Sequence, residues 1–218
     1  MKYVMILCEG RTEEGFINYV LAPYFANMNI YVTPKIHETK RIAGKTFKGG
    51  VSKYSPIKKE IINLCKNPNV LVTTMFDYYG MPSDTPSIDY ADVDIYKRIE
   101  HIEKAIADDI GCDNLLFNLV VHEFEGLLFS EPQAFGVIAN DRAVTKLQAM
   151  KDEAETPEHI NNSAATAPSK RIESVISDYS KVRQGTIVAK NVGIDKMLSE
   201  CKHFATWIEN IKNFNFSQ

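Results

Sequence analysis

The stretch that decides the fold is MILCEGRTEEGF, residues 5–16, where an apolar run passes directly into a turn and then into a helical pattern. The apolar run begins at residue 3 and ends at residue 8, and a continuous run of this length predicts a strand buried on both faces. Gly10 suits the turn that follows. Glu9 has no such local explanation, because a turn needs no carboxylate, so Glu9 is the first candidate functional residue.

The residues after the turn predict a helix. Thr12 is a suitable N-cap, and Glu13 and Glu14 fall in the first helical turn, where negative charge complements the helix dipole. Pro23 is expected to bend or end this helix, because proline lacks the backbone N–H that the helix requires.

The remaining pattern extends the alternation of strands and helices. Apolar or β-branched runs at residues 29–36, 69–76 and 114–121 predict three more strands. Helices are predicted at about 55–65 and over 95–110, where isoleucines recur at helical spacing. This order predicts an α/β fold with a mostly parallel sheet flanked by helices.

The second part of the chain differs in composition. We expect residues 1–150 to form the α/β domain and residues 151–218 to form a loop and helical extension packed on it. The polar segment 151–171 contains two prolines and predicts an exposed loop. Helical segments are expected at about 169–180 and 194–212.

Composition narrows the class of protein. The chain has 218 residues and a formal net charge of −3, which argues against a generally basic nucleic-acid binder. It contains no apolar run long enough to span a membrane, and its first residues resemble a strand more than a signal peptide. The four cysteines form no CxxC pair, so reduced thiols in a cytoplasmic protein are expected.

Carboxylates follow three of the predicted strands: Glu9, Asp77, and the pair Glu123 and Glu125. Ligands of open α/β sheets bind at the carboxyl ends of the strands. If the last strand continues, its period of two places Glu123 and Glu125 on the same face. Clustered carboxylates repel one another unless they are protonated or bridged by a cation, and their oxygens suit Mg²⁺ or Mn²⁺. The alternative is that each acid only caps a turn or helix.

A basic segment provides a second signal. Eight lysines or arginines lie between Lys35 and Lys59, and among them Lys45, Lys48 and Lys53 are predicted to contact nucleic acid. A solvated loop is the alternative. Further cations that could reach a phosphate, or could simply be helix-surface charges, are Lys170, Arg171, Lys181 and Lys190. Of these four, Lys170 and Arg171 are the predicted nucleic-acid contacts.

Several of these motifs together resemble a known family. They are Glu9-Gly10 with Thr12-Glu13-Glu14, FDYYG with Asp77, EFEG with Glu123 and Glu125, and the later PEHINN and PSKRI. In this order they resemble a Toprim-like bacterial family of unknown function. That family is similar to RloB proteins and, more distantly, to Toprim nucleases of the overcoming-lysogenization-defect type.

The resemblance implies a Toprim fold in which Glu9 is a general acid/base or metal-associated carboxylate and Asp77 is a metal ligand. One position departs from the Toprim pattern, since Asp-x-Asp is replaced by Asp77-Tyr78-Tyr79. Glu123 or Glu125 is expected to supply the missing oxygen ligand, and an impaired metal site is the alternative.

The leading functional hypothesis is therefore a Mg²⁺-dependent nuclease that cleaves DNA or RNA, with Asp77 and a glutamate at the metal and Glu9 handling a proton. The resemblance further suggests a role in anti-phage defence beside an ATPase partner. Two alternatives remain open: a non-catalytic subunit of such a complex, and a phosphotransfer enzyme that acts on small nucleotides.

Overall fold

A parallel sheet forms the centre of the protein, which we describe from a computed structural model over residues 2–37, 53–160 and 166–215. The described strands are β1 Lys2–Cys8, β2 Ile30–Ile36, β3 Val70–Asp77, β4 Leu115–Leu116 and β5 Leu119–Val120. Their order is β2-β1-β3-β4, with β5 also paired to β3, and every pairing is parallel. The predicted mostly parallel sheet flanked by helices is confirmed.

Helices make up most of the remaining described chain. They are α1 Arg11–Phe16, α2 Ala22–Ala26, α3 Tyr54–Leu64, α4 Ile95–Ile110, α5 Glu125–Leu128, α6 Asp141–Asp152, α7 Pro168–Val175, α8 Thr186–Val192, α9 Ile194–Glu200 and α10 Lys202–Asn213. Short 3₁₀ turns occur at Tyr78–Gly80, Pro132–Val137 and Pro157–His159. Within these ranges no helix has both the length and the apolar character that crossing a membrane requires.

The continuous apolar runs are explained by cores on both faces of the sheet. Ile6 and Cys8 of β1 pack with α1, α2 and the C-terminal helices, whereas Leu7 packs with α3 and α4. Successive residues of a strand point to opposite faces, so a strand covered on both sides must be apolar at every position. The isoleucines of α4 form the buried stripe predicted from their spacing, and Gly111 ends that helix with φ +68°.

The first helix differs from the prediction at its N-terminus and is irregular near Pro23. Its N-cap is Gly10, and Thr12 lies buried inside the first turn. After α1 the helix continues through a π-helical turn at Ile17–Leu21, where the Ala22 N–H donates to the Ile17 carbonyl. It then passes Pro23 and ends with α2 at Ala26. The wider turn lies immediately before the proline that lacks an N–H, as is common where a helix accommodates a break in its ladder.

The predicted strand at 114–121 is interrupted. Asn118 lies between β4 and β5 and exchanges hydrogen bonds with the Thr74 hydroxyl, at 2.8 Å from its N–H and 2.7 Å to its carbonyl. After β5 ends at Val120, His122 adopts a left-handed conformation with φ +65°. The strand therefore does not continue through Glu123 and Glu125, and the expectation that strand alternation aligns them is wrong.

The segment predicted as an exposed loop, 151–171, contains a buried carboxylate. Glu158 is 3% exposed and accepts hydrogen bonds from the N–H groups of His203 and Phe204, each at 3.0 Å. These N–H groups belong to the first turn of α10, which has no helical acceptors for them. Glu158 thus ties this segment to the last helix.

A second link joins the last helix to the sheet. The Trp207 indole N–H donates to the Thr73 hydroxyl at 2.8 Å, and that hydroxyl donates to the Leu116 carbonyl at 2.6 Å. Residues from before and after position 150 share one hydrophobic cluster, which includes Phe16 and Ile208. The described C-terminal helices therefore complete the core on one face of the sheet.

Replacement of Glu158 by alanine is expected to lower the free energy of unfolding by about 2–4 kcal/mol, because two N–H groups of α10 lose a buried acceptor. Urea denaturation measures this loss. Glu158→Gln keeps an acceptor oxygen and should lose less, and Glu155→Ala, at an exposed position of the same segment, should be close to neutral. Equal stability of Glu158→Ala and Glu155→Ala would contradict the assigned cap.

Candidate functional site

Five carboxylates gather at the carboxyl edge of the sheet, and we call them the acidic cluster: Glu9, Glu13, Asp77, Glu123 and Glu125. Glu9 follows β1, Asp77 ends β3, and the last two follow β5. Each of the four acids predicted from the sequence interacts electrostatically with others of the cluster. The parallel strand order brings them together, as expected for strands that end at the same edge.

Glu13 is the member that the sequence did not indicate as functional. It lies in the first turn of α1, is 8% exposed, and points toward the other acids instead of solvent. Burial, together with the charges of Glu9 and Glu125, raises its pKa to about 7. A first-turn glutamate has an ordinary explanation in the helix dipole, and only the fold shows that this one faces the cluster.

Asp77 interacts electrostatically with three other members of the cluster, Glu13, Glu125 and Glu9. Burial is the main reason that its pKa is well above the ordinary range, and Glu13, Glu125 and Glu9 add to the increase. One carboxylate oxygen accepts a hydrogen bond from the Phe124 N–H at 2.9 Å. This bond fixes the end of β3 against the start of α5.

Glu9 is held close to the backbone of the loop after β3. Burial raises its pKa, whereas a hydrogen bond from the Asp77 backbone N–H and the charge of Lys181 lower it. A Cβ placed on Gly80 would lie 2.8 Å from a Glu9 carboxylate oxygen, so only glycine lets the loop approach this closely.

Glu123 and Glu125 share one cation. The Lys181 Nζ lies 3.1 Å from Glu125 Oε2 and 3.8 Å from Glu123 Oε1. Glu123 also accepts a hydrogen bond from the Ser169 N–H, at 3.0 Å, in the first turn of α7. The two glutamates therefore meet at Lys181 even though no strand aligns them.

Glu125 retains an unused oxygen. The residue is 1% exposed, and its Oε1 has no hydrogen-bond partner among the described residues. Burial raises the pKa of Glu125, and the nearby Lys181 ammonium opposes that increase. A buried carboxylate oxygen without a partner is costly, and an additional ligand at the site would satisfy it.

Lys181 is the main counter-charge. It opens the π-helical turn Lys181–Gly185, which leads into α8. Glu125 and Glu123 raise its pKa above the ordinary lysine value in spite of its burial. Within the described ranges it is the only cation at ion-pair distance from the acidic cluster. One lysine thus faces five carboxyl groups, and burial together with this excess of negative charge raises the pKa of four of them, Glu9, Glu13, Asp77 and Glu125.

Tyr79 occupies the position of the second aspartate of the Toprim pattern. Its side chain is 46% exposed, and its ring packs against His122 with centroids 5.1 Å apart. Burial lowers the pKa of His122 to about 4, with help from His159 and Arg98, so the ring is neutral at pH 7. His122 is thus a buried aromatic partner of Tyr79.

The predicted nucleic-acid contacts have different surroundings. Lys45 and Lys48 lie outside the described residues. Lys53 is exposed and immediately precedes α3. Lys170 pairs with Glu173 at 2.6 Å, and the Arg171 Nε–H donates to the Thr166 carbonyl at 3.0 Å. The contacts of Lys170 and Arg171 are therefore to their own segment, one and two residues beyond the Ser169 that binds Glu123.

The acidic cluster has the composition of a divalent-cation site. In the described part of the chain, no group of three or more His, Cys, Asp or Glu side chains is arranged so that it could hold a metal ion as it stands. The donors nevertheless fit Mg²⁺ or Mn²⁺, because they are hard carboxylate oxygens and one of them, Glu125 Oε1, is buried without a partner. Magnesium usually retains several waters and needs only one or two protein carboxylates.

Comparison with known proteins gives two matches. The family described as "Domain of unknown function (DUF4276)" matches residues 8–212. The chain is also similar to a solved structure, the C-terminal region of the Xanthomonas campestris pv. campestris OLD protein, with 16% identity, a TM-score of 0.43, and coverage of 96% of this chain and 94% of that chain. No curated protein matches the chain.

The metal-free protein is expected to lose stability as the pH rises from about 5 to about 8. The pKa of Glu13 is about 7 in the folded protein against an ordinary value of 4.5. Between these two pKa values, Glu13 is protonated in the folded protein and ionised in the unfolded chain. The stabilisation that results is fully present below the unfolded pKa and is lost as the pH rises through the folded pKa. The expected loss is on the order of 2–3 kcal/mol.

Urea unfolding in a chelating buffer, repeated across this pH range, measures the effect. Glu13→Gln should flatten the dependence, because the amide does not titrate. Glu14→Gln, next to it on the same helix, should keep the slope. An unchanged slope in Glu13→Gln would contradict the role given to this residue.

Proposed function

The chain belongs to the DUF4276 family, and for this member we propose a Mg²⁺-dependent nuclease of Toprim type that hydrolyses phosphodiester bonds in DNA or RNA. The proposal rests on the acidic cluster. Five carboxyl groups at the carboxyl edge of a parallel sheet face one lysine, and burial and mutual repulsion raise the pKa of four of them, Glu9, Glu13, Asp77 and Glu125.

A divalent cation removes the electrostatic cost of this arrangement. Like charges in one buried site remain partly protonated unless a cation bridges them. We assign the ion to Asp77, Glu9 and the Glu123–Glu125 pair, and Glu125 Oε1 is the oxygen that most needs a partner. When bound, Mg²⁺ supplies Lewis acidity toward a phosphate oxygen and lowers the pKa of a coordinated water.

The protein side chains supply the remaining steps. Lys181 places a permanent positive charge beside Glu125 and suits the stabilisation of negative charge on the phosphate. Glu9, whose pKa is already raised, suits proton transfer to or from the attacking or leaving oxygen. The hydrogen bonds from Phe124 to Asp77 and from Ser169 to Glu123 hold these acids in place.

Further parts of the proposal rest on the sequence alone. One is the likeness to RloB proteins. Another is that the cations of the 40–59 segment bind the nucleic-acid substrate. The third is an ATPase partner with a role in anti-phage defence. A cytoplasmic setting agrees with the free thiols of all four cysteines.

Purified protein is expected to cleave DNA or RNA with Mg²⁺ or Mn²⁺ and not with chelator. Glu9→Gln, Asp77→Asn and Lys181→Met should each lower the rate by about 100-fold or more, because each removes a charge or proton acceptor at the site. Gel assays on labelled DNA and RNA measure the rates. Glu155→Gln, at an exposed position outside the acidic cluster, is the matched control and should keep activity.

Equal residual cleavage in all variants would indicate a contaminating nuclease and would overturn the proposal. Absence of cleavage by the wild type under every metal condition, together with normal folding, would favour the non-catalytic subunit. Hydrolysis confined to mononucleotides would favour the phosphotransfer alternative.

A separate expectation concerns the loop after β3. Gly80→Ala should lower the cleavage rate by about tenfold or more, because the new Cβ would meet the Glu9 carboxylate and displace it. Gly136→Ala is the control, since a Cβ at Gly136 meets no atom within 4 Å. If both variants cleave at the wild-type rate, the position of Glu9 is unimportant for the reaction.

A further inference from the structure

A cleft of about 430 Å³ opens between the first helix and the segment that carries Lys181. One wall contains Arg11 and Tyr19, and the other contains Arg183 and Lys190. Its volume falls within the roughly 300–1,000 Å³ range of small-molecule sites. None of its residues belongs to the acidic cluster, but the cleft begins close to it.

The position of the cleft is set by the chain. Arg11 comes two residues after Glu9, and Arg183 comes two residues after Lys181. A ligand in the cleft therefore lies beside α1, which follows Glu9, and beside the π-helical turn that begins at Lys181. This continuity suits an extended substrate whose reacting phosphate reaches the cluster.

The two arginines of the cleft have no partner among the described residues. The side chains of Arg11 and Arg183 are exposed, and neither guanidinium forms an ion pair or hydrogen bond with another described residue. Arg11 opens α1, where the helix dipole disfavours positive charge. With Lys190 the cleft has three cations against one acid, Glu14. The excess positive charge is suited to an anionic ligand.

The cleft also offers an exposed aromatic ring. Tyr19 lies in the π-helical turn Ile17–Leu21 and is 61% exposed. The Lys190 Nζ lies over its ring, 5.6 Å from the centroid. The ring is thus oriented by a cation and still accessible over most of its surface.

The floor of the cleft contains an unsatisfied polar group. Thr186 lines the cleft and is 9% exposed, and its hydroxyl has no hydrogen-bond partner among the described residues. A Cβ on Gly15 would lie 2.5 Å from this hydroxyl, so the two walls meet here in close contact.

We propose that this cleft binds a single-stranded segment of the nucleic acid, with a base stacked on Tyr19 and backbone phosphates on Arg11, Arg183 and Lys190. Proteins that bind single strands combine a positive groove with exposed aromatic rings. A base inside a duplex is already stacked and cannot offer its face to Tyr19. The proposal deepens the nuclease function by assigning its substrate as a single strand.

The test measures binding without cleavage. A fluorescein-labelled oligothymidylate of about 12 nucleotides is titrated with the full chain in chelating buffer and followed by anisotropy, beside a duplex of the same length. The single strand should bind more tightly than the duplex. Tyr19→Ala should weaken binding by about tenfold, whereas Tyr19→Phe, which keeps the ring, should stay within about twofold.

The charges are tested in the same assay. Arg183→Glu and Lys190→Glu should weaken binding and reduce its dependence on salt, because each removes a phosphate contact. Lys104→Glu is the control, since Lys104 is 75% exposed and pairs with Asp108 on α4. Circular dichroism checks that each variant is folded.

Wild-type affinity in both Tyr19→Ala and Arg183→Glu would overturn the proposal, as would a preference for duplex or the absence of saturable binding by the wild type. These outcomes are independent of the nuclease test. If cleavage depends on metal but the cleft variants bind and cleave like the wild type, the nuclease proposal stands and the single-strand proposal is wrong. A protein partner would then be the remaining candidate ligand of the cleft. If the single strand binds through Tyr19 but no metal supports cleavage, the single-strand proposal stands and the nuclease proposal is wrong.

Discussion

The contact between Lys181 and the buried Glu125, at 3.1 Å, is the interaction on which the candidate site depends. A carboxylate removed from water needs a compensating charge, and without one it becomes protonated. Lys181 provides that charge for Glu125 and partly for Glu123. The remaining acids of the cluster have no comparable partner among the described residues, and the raised pKa values of Glu9, Glu13 and Asp77 follow from this.

The fold is organised to hold this unfavourable group of charges. The sheet supplies Glu9 and Asp77 from neighbouring strands. The C-terminal part supplies the Lys181 ammonium and, through Ser169, a backbone donor to Glu123. The helical extension is therefore part of the site, since its residues carry the counter-charge. A hydrogen bond to Glu158 joins α10 to the segment around residue 158, and a hydrogen bond from Trp207 joins α10 to Thr73 of the sheet.

Much of the sheet and four of the five acids were predictable, because each depends on local pattern. Continuous apolar runs identified the strands, and parallel strand order then implied that Glu9 and Asp77 meet at one edge. Glu13 was not predictable as a site residue, since its place in a first helical turn already explained it. Lys181 was one of four C-terminal cations considered, and the prediction chose Lys170 and Arg171 instead; only the packing of the segment before α8 distinguishes Lys181.

The errors have similar causes. The strand at 114–121 was expected to continue because its residues favour strands, but Asn118 bonds with Thr74 and the left-handed His122 ends the pairing. The segment 151–171 was expected to be exposed because it is polar, whereas Glu158 is buried as the cap of a distant helix. In both cases a contact with a residue more than forty positions away decided the outcome, as the separations of 44 and 45 residues show.

The central claim is that the acidic cluster binds a divalent cation, and titration of the full chain with Mn²⁺ followed by electron paramagnetic resonance tests it most directly. We expect Mn²⁺ to bind saturably and Mg²⁺ to compete with it. The binding should weaken as the pH falls below about 7, the pKa of Glu13. It should be lost in Glu125→Gln and in Asp77→Asn. Absence of saturable binding by the wild type, or undiminished binding by both variants, would contradict the account.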